Sequence, residues 1–224
     1  MNLIFKNKDW LFFGLTVIFF LLFPTLDLQV ADYFYDSNEG YWLWRDQPIN
    51  VSIYGLYRYL PYLIVPLLLF GLAATWIKNG LPRAQRPIWA LLFLSLILGP
   101  GILVHSVVKE GFDRPRPKQV EEFGGKSGYT PPLHVSDSCE RKCRSFVSGH
   151  VAMAAWPMVF AWLAGARIWL WAGLLMGLVM GLVRLMQGGH FPSDSIFAIW
   201  FCYFVYRALA WWLLGSSRIQ RDSE

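Results

Sequence analysis

The sequence predicts an all-α, polytopic membrane protein built as a bundle of six transmembrane helices. Three observations carry that reading. Of the 224 residues, 55% are hydrophobic and 17% are aromatic. Only 16% are charged, well under the ~25% of a soluble domain. The apolar residues also gather into long runs that contain no charge.

Those runs cover residues 10–26, 59–77, 87–108, 151–166, 168–183 and 195–206, the last continuing past Arg207 to Ser217. A helix needs about 20 apolar residues to cross the hydrocarbon core, so each run is read as one span. Three runs are short, and two of these border the polar residues His150 and Arg184, which suit a hydrated cleft at the membrane surface. Gly99-Pro100-Gly101 predicts a kink in the third span, and Pro61, Pro66 and Pro157 predict kinks in the second and fourth. Arg207, within the sixth, is expected to snorkel to the inner surface.

Basic residues in the short loops set the orientation. Lys6 and Lys8 precede span one, Lys78, Arg83 and Arg86 separate spans two and three, Arg167 separates four and five, and Arg218 and Arg221 follow span six. Both termini are therefore expected in the cytoplasm. Residues 27–58, 109–150 and 188–194 would face outward. The N-terminus has a basic start and an apolar core, but Phe23-Pro24-Thr25-Leu26-Asp27 offers no small-residue cleavage site, so an uncleaved first span is expected.

The formal charge of +5 is scattered over loops on both sides. That distribution fits positive-inside topology and an anion site, and it argues against a nucleic-acid partner. No repeat or linker divides the chain, so residues 1–224 are read as one domain, with no obligate protein partner evident. The longest outward segment, residues 113–147, holds Pro115, Pro117, Gly124, Gly125, Gly128, Pro131 and Pro132, which exclude a long regular helix. Segments of that length in a compact protein are usually functional. Cys202 lies in span six and reads as packing. Cys139 and Cys143 share the outward loop and are expected to form a disulfide if the compartment is oxidising; two free thiols are the alternative.

Three clusters stand at the outward ends of spans three, four and five. The first runs from Lys109 through Arg114-Pro115-Arg116-Pro117, a lysine ending a helix followed by two arginines held extended by prolines. Lys gives a point charge and Arg a planar fork of donors, a pairing suited to an anion with several oxygens, although a basic membrane anchor would look the same. The second is Ser145-Phe146-Val147-Ser148-Gly149-His150. Ser148 would cap the fourth span, Gly149 would let backbone approach an oxyanion, and His150 would face it as a proton donor. A plain helix cap beside an incidental histidine is the bland alternative. In the third, Arg184 and Asp194 flank a turn carrying His190. A carboxylate on one ring nitrogen leaves the other free as base or nucleophile.

Together the clusters supply the parts of a phosphoryl-transfer site on one face of the membrane. The sequence resembles the type 2 phosphatidic acid phosphatase superfamily, whose motifs are Lys, six residues, Arg-Pro; Pro-Ser-Gly-His; and Ser-Arg, five residues, His, three residues, Asp. Here they read Lys109 to Arg116-Pro117, Ser148-Gly149-His150, and Arg184 to His190 to Asp194. Val147 replaces the usual proline and Val183 the usual serine; neither position carries a charge or a proton.

The resemblance implies that His190 attacks phosphorus, Asp194 orients it and His150 protonates the leaving oxygen. Lys109, Arg116, Arg184, Ser148 and the Gly149 amide would hold the phosphoryl oxygens. Arg114 and Lys118 have no motif role and are read as head-group contacts. No metal or other cofactor is expected, because the Lys and Arg groups supply the charge that Mg²⁺ supplies elsewhere. The implied enzyme is a phosphatase in a bacterial inner membrane, its site facing the periplasm. Its substrate would be a lipid phosphate in the bilayer: undecaprenyl pyrophosphate, phosphatidylglycerophosphate, phosphatidic acid or a lipid A phosphate. A lipid-to-lipid phosphotransferase shares the first half-reaction, and a flippase with a basic lipid pocket is the remote alternative.

Overall fold

The structure is a computed structural model describing residues 7–137, 139, 143–216 and 219. Lys6, Arg218, Arg221 and Ser217, used above to orient the chain and bound its last span, lie outside the described residues. Helix α1 (Asn7–Leu22) meets α2 (Leu26–Asp32) at a bend of 77°. A two-stranded antiparallel hairpin follows, β1 (Tyr35–Asp36) and β2 (Tyr41–Trp42).

Helix α3 (Pro48–Ala74) begins with Pro48 in its first turn and runs through Pro61 and Pro66 without interruption. It starts eleven residues before the apolar run at 59, because its outer turns carry polar residues and Tyr that stand in the interfacial region. Helix α4 (Arg86–Leu96) widens into a π-helical stretch, Ile97–Val108, across Gly99-Pro100-Gly101, and ends in α5 (Lys109–Phe112). The expected kink is thus a widened turn pattern, which accommodates the proline that an i→i−4 ladder would exclude.

Among the described residues, four helices are long and apolar enough to cross a bilayer: α3, the run Arg83–Gln119, α8 (Ile168–Met186) and α9 (Pro192–Leu214); the bent pair α1 and α2 makes a fifth candidate. The expected fourth span is shorter and broken. It consists of α6 (Gly149–Ala154), a 3₁₀ turn at Trp156–Val159 containing Pro157, and α7 (Phe160–Leu163). Nearly every side chain from Val151 to Trp162 is buried, so this segment is the centre of the bundle and is surrounded by protein. A segment that meets no lipid need not match the bilayer's thickness.

There are two cores. The larger joins Val151, Ala155, Met180, Phe197 and Tyr206 with their neighbours along the bundle. A smaller one, at the end where α2 and the hairpin sit, groups Ala31, Trp42, Val120, Phe123, Leu185 and Phe191. At the opposite end, Arg207 does not snorkel: it is 4% exposed and pairs with Asp9 at the start of α1, within reach of the Tyr203 hydroxyl. Burying the guanidinium is tolerable because a carboxylate meets it there.

Candidate active site

The end of α5, the start of α6 and the turn between α8 and α9 converge beneath the smaller core. Ser148 caps α6, its hydroxyl accepting from the Val151 amide at 3.5 Å. Its own amide donates to the Asp194 carbonyl at 3.1 Å, which fastens the second cluster to the third. Lys109 is 5% exposed, and its Nζ would stand 3.5 Å from a Cβ placed on Gly149. The lysine therefore lies over the first turn of α6, where free amides point outward.

Arg184 lies flat on the catalytic turn. A Cβ on Gly189 would stand 2.2 Å from its Nη2, so a side chain there requires the guanidinium to move. Gly188 adopts φ +60°, which turns the chain under Trp42 of the hairpin. Arg184 Nη1 donates to Gln187 at 2.6 Å, and the guanidinium covers the Tyr54 ring at 4.7 Å. That same ring stacks on His150 at 4.7 Å between centroids, tilted 31°.

His190 is 1% exposed, and its Nδ1 lies 3.4 Å from Asp194 Oδ2. The two are paired electrostatically, yet the geometry is too loose for a hydrogen bond. Catalytic contacts commonly tighten only with substrate bound. Burial holds the imidazole well below its ordinary pKa, and the charges of Arg184, Lys109, Arg116 and His150 push the same way. The neutral form of the ring is therefore favoured at neutral pH.

Asp194 is wholly buried. Oδ2 accepts from the Ser145 hydroxyl at 2.5 Å and the Phe191 amide at 2.9 Å, and Oδ1 from Arg114 at 2.7 Å. This corrects the reading of Arg114. It does not reach a head group: it is fully buried between Asp194 and Asp27, with Nη2 to Asp27 Oδ2 at 2.7 Å. A guanidinium at 0% exposure is held by paired carboxylates, and the Arg-Pro spacing alone does not reveal which way such a side chain turns. Lys118 is exposed at the rim of a separate polar cleft with Lys126 and Ser127. Arg116 is half-buried, its Nε donating to the Cys143 carbonyl at 3.3 Å. Cys139 and Cys143 form a disulfide.

Beside Lys109, Gly149 and His150 a cavity of about 430 Å³ runs between α3 and the π-helical stretch. Its deeper wall is apolar, with Val65, Leu96, Ile97 and Met153, and His105 and Arg58 also line it. An anion-binding end joined to an apolar groove fits an amphiphile with a phosphorylated head.

The PAP2 superfamily profile matches residues 88–218, more than half of the chain and all three clusters. The chain belongs to the PAP2 superfamily. It is 34% identical over 191 residues to a lipid A 4'-phosphatase of Francisella tularensis subsp. novicida, covering 83% of this chain and 85% of that one. A lipid A 4'-phosphatase of Rhizobium leguminosarum is 27% identical over 238 residues, 96% of this chain and 98% of the relative. No solved structure matches. As a PAP2 protein with membrane-spanning helices and these relatives, the chain is a bacterial membrane lipid phosphatase, a phosphoric monoester hydrolase.

The motifs pointed to Lys109, Arg116, Ser148, Gly149, His150, Arg184, His190 and Asp194. Sequence reasoning gave no role to Ser145 and Ser193, which lie inside the second and third clusters, and missed Asp27 and Tyr54, which no motif contains. An aspartate at the end of an apolar run, as at Asp27, is a signal that could have been followed.

Proposed function

We propose that this PAP2 enzyme, as a single domain of six spans, removes phosphate from a lipid at the periplasmic face of a bacterial inner membrane through a phosphohistidine on His190. The free ring nitrogen of His190 attacks phosphorus as the bond to the lipid oxygen breaks. His150 gives that oxygen its proton. Lys109, Arg116, Arg184, the Ser148 hydroxyl and the Gly149 amide hold the phosphoryl oxygens, whose spread charge is what catalysis must stabilise. Asp194 balances the positive ring. Water then attacks the phosphohistidine, giving its proton to His150 and releasing phosphate.

The observation that carries this reading is the burial of His190 against Asp194 amid Lys109, Arg116 and Arg184. A lipid A phosphate monoester is the first candidate substrate, because relatives spanned almost end to end are lipid A 4'-phosphatases. The test is phosphate release by purified enzyme from a panel of lipid A, phosphatidylglycerophosphate, phosphatidic acid and undecaprenyl pyrophosphate. Fastest release from lipid A, abolished by His190→Ala, is expected. A phosphorylated acceptor lipid without free phosphate would make the enzyme a phosphotransferase.

A further inference from the structure

Behind Asp194 the interior contains charged and polar residues, Arg114, Asp27 and Ser193, that have no direct part in the proposed phosphoryl chemistry. Arg114 spends its donors on protein partners: Nε on the Thr130 carbonyl at 2.8 Å, Nη1 on Ser193 Oγ at 2.8 Å and Asp194 Oδ1 at 2.7 Å, and Nη2 on Asp27 Oδ2 at 2.7 Å and the half-buried Tyr129 hydroxyl at 3.3 Å. Asp27 completes the ring by accepting from the Ser193 amide at 3.0 Å and from the Ser193 hydroxyl. Arg114, Asp27, Ser193 and Asp194 are all at or near 0% exposure.

One guanidinium thus serves two carboxylates with different surroundings. Asp194 turns Oδ1 to Arg114 and Oδ2 to His190. Asp27 meets no catalytic group, and comes from α2, at the far end of the sequence. If Arg114 faced Asp194 alone, it would neutralise the carboxylate that must balance a positive ring on His190. Asp27 draws part of that charge away, and fixes the guanidinium so that only one Asp194 oxygen is engaged.

We infer that Asp27, Arg114 and Ser193 are positioning residues for catalysis: they hold Asp194 with Oδ2 toward His190 and preserve its negative charge for the phosphoryl-transfer step. The inference rests on the phosphohistidine reading above. It separates an effect on the chemical step from one on lipid binding, because none of the three residues touches the cavity or the phosphate-holding groups.

The experiment uses the full chain in detergent micelles and the panel lipid turned over fastest. For Asp27→Asn and Ser193→Ala, kcat per folded enzyme should fall about 10- to 100-fold, the usual cost of removing a partner that orients a catalytic ligand from behind. KM should change less than threefold, and Arg114→Lys should recover part of the loss seen in Arg114→Gln. The double variant Asp27→Asn/Arg114→Gln removes one positive and one negative charge together and leaves Asp194 its hydrogen bonds from Ser145 and the Phe191 amide, and so reads the same effect where a single variant does not fold. Folded Asp27→Asn and Ser193→Ala with lowered melting temperatures but kcat within twofold of the parent would make the cluster merely structural. His190→Ala distinguishes the failures: if it keeps turning over, the phosphohistidine reading falls, whereas if only it is dead and the cluster variants are fully active, the positioning inference falls alone.

Discussion

The Tyr54 ring meets both Arg184 and His150, its centroid 4.7 Å from the guanidinium carbon and 4.7 Å from the imidazole centroid. One residue of α3 thereby contacts both the arginine proposed to hold phosphate and the histidine proposed as proton donor. Ring stacking contributes about 0.5–1.5 kcal/mol and a cation over the ring about 0.5–2 kcal/mol. Tyr54→Leu should lower kcat/KM by roughly one to two orders of magnitude, at about 1.4 kcal/mol per factor of ten. Tyr54→Phe keeps the ring and should stay near the parent rate. Parent-like kinetics for Tyr54→Leu would mean that the stack is incidental.

Gly189 and Arg184 give a steric prediction. A methyl group at 189 would occupy the guanidinium's position. Gly189→Ala should displace Arg184 from the phosphate and weaken orthovanadate inhibition at least tenfold, while circular dichroism shows the helices intact. Unchanged vanadate affinity would remove Arg184 from the phosphoryl contacts.

The two histidines should be separable by trapping. His190→Ala and His150→Ala should both abolish turnover. Only His190→Ala should prevent a labelled phosphoenzyme from forming, because His150 serves the leaving oxygen and the water. A phosphohistidine trapped in the His190→Ala protein would move the nucleophile elsewhere.

Burial and the surrounding cations lower the His190 pKa, so the ring stays neutral to lower pH than an ordinary histidine. In a ¹³C-histidine NMR titration of the substrate-free enzyme, the resonance lost in His190→Ala should titrate below the usual histidine value of about 6.5. Arg184→Gln removes a positive neighbour and should move that midpoint upward. Titration at or above the ordinary value would contradict the electrostatics of the site.

The parts legible in the sequence were those whose meaning is contiguous. Lys109 to Pro117, Ser148 to His150 and Arg184 to Asp194 each sit on one helix end, so spacing along the chain translates into spacing in the site. Asp27 meets Ser193 across 166 residues and Arg114 across 87, distances at which no local pattern survives. Arg114 was misread for a related reason: Arg-Pro-Arg-Pro fixes an extended backbone but not which guanidinium turns inward. Span lengths erred where lipid was assumed to be the neighbour. The central segment from Val151 to Trp162 is buried at nearly every residue, and hydropathy cannot tell that from a bilayer.

The disulfide offers a last test, since the backbone of Cys143 contacts Arg116, one of the residues proposed to hold phosphate. Cys139 and Cys143 close a loop with a sequence separation of only 4. Constraint of so short a loop contributes about 2 kcal/mol. Cys143 does more through its backbone, however. Its amide donates to Asp113 Oδ1 at 2.7 Å, and its carbonyl accepts from Arg116 Nε at 3.3 Å. The bridge therefore anchors the peptide that aims Arg116, and it lies just upstream of Ser145 and Ser148. Replacing both cysteines with serine should raise KM severalfold by loosening Arg116, while the melting temperature changes little. Reduction of the parent protein should reproduce the effect, and adding reductant to the Cys139→Ser/Cys143→Ser variant should do nothing further. If the variant loses stability but keeps its KM, the bridge serves the fold alone and Arg116 is aimed by its own prolines.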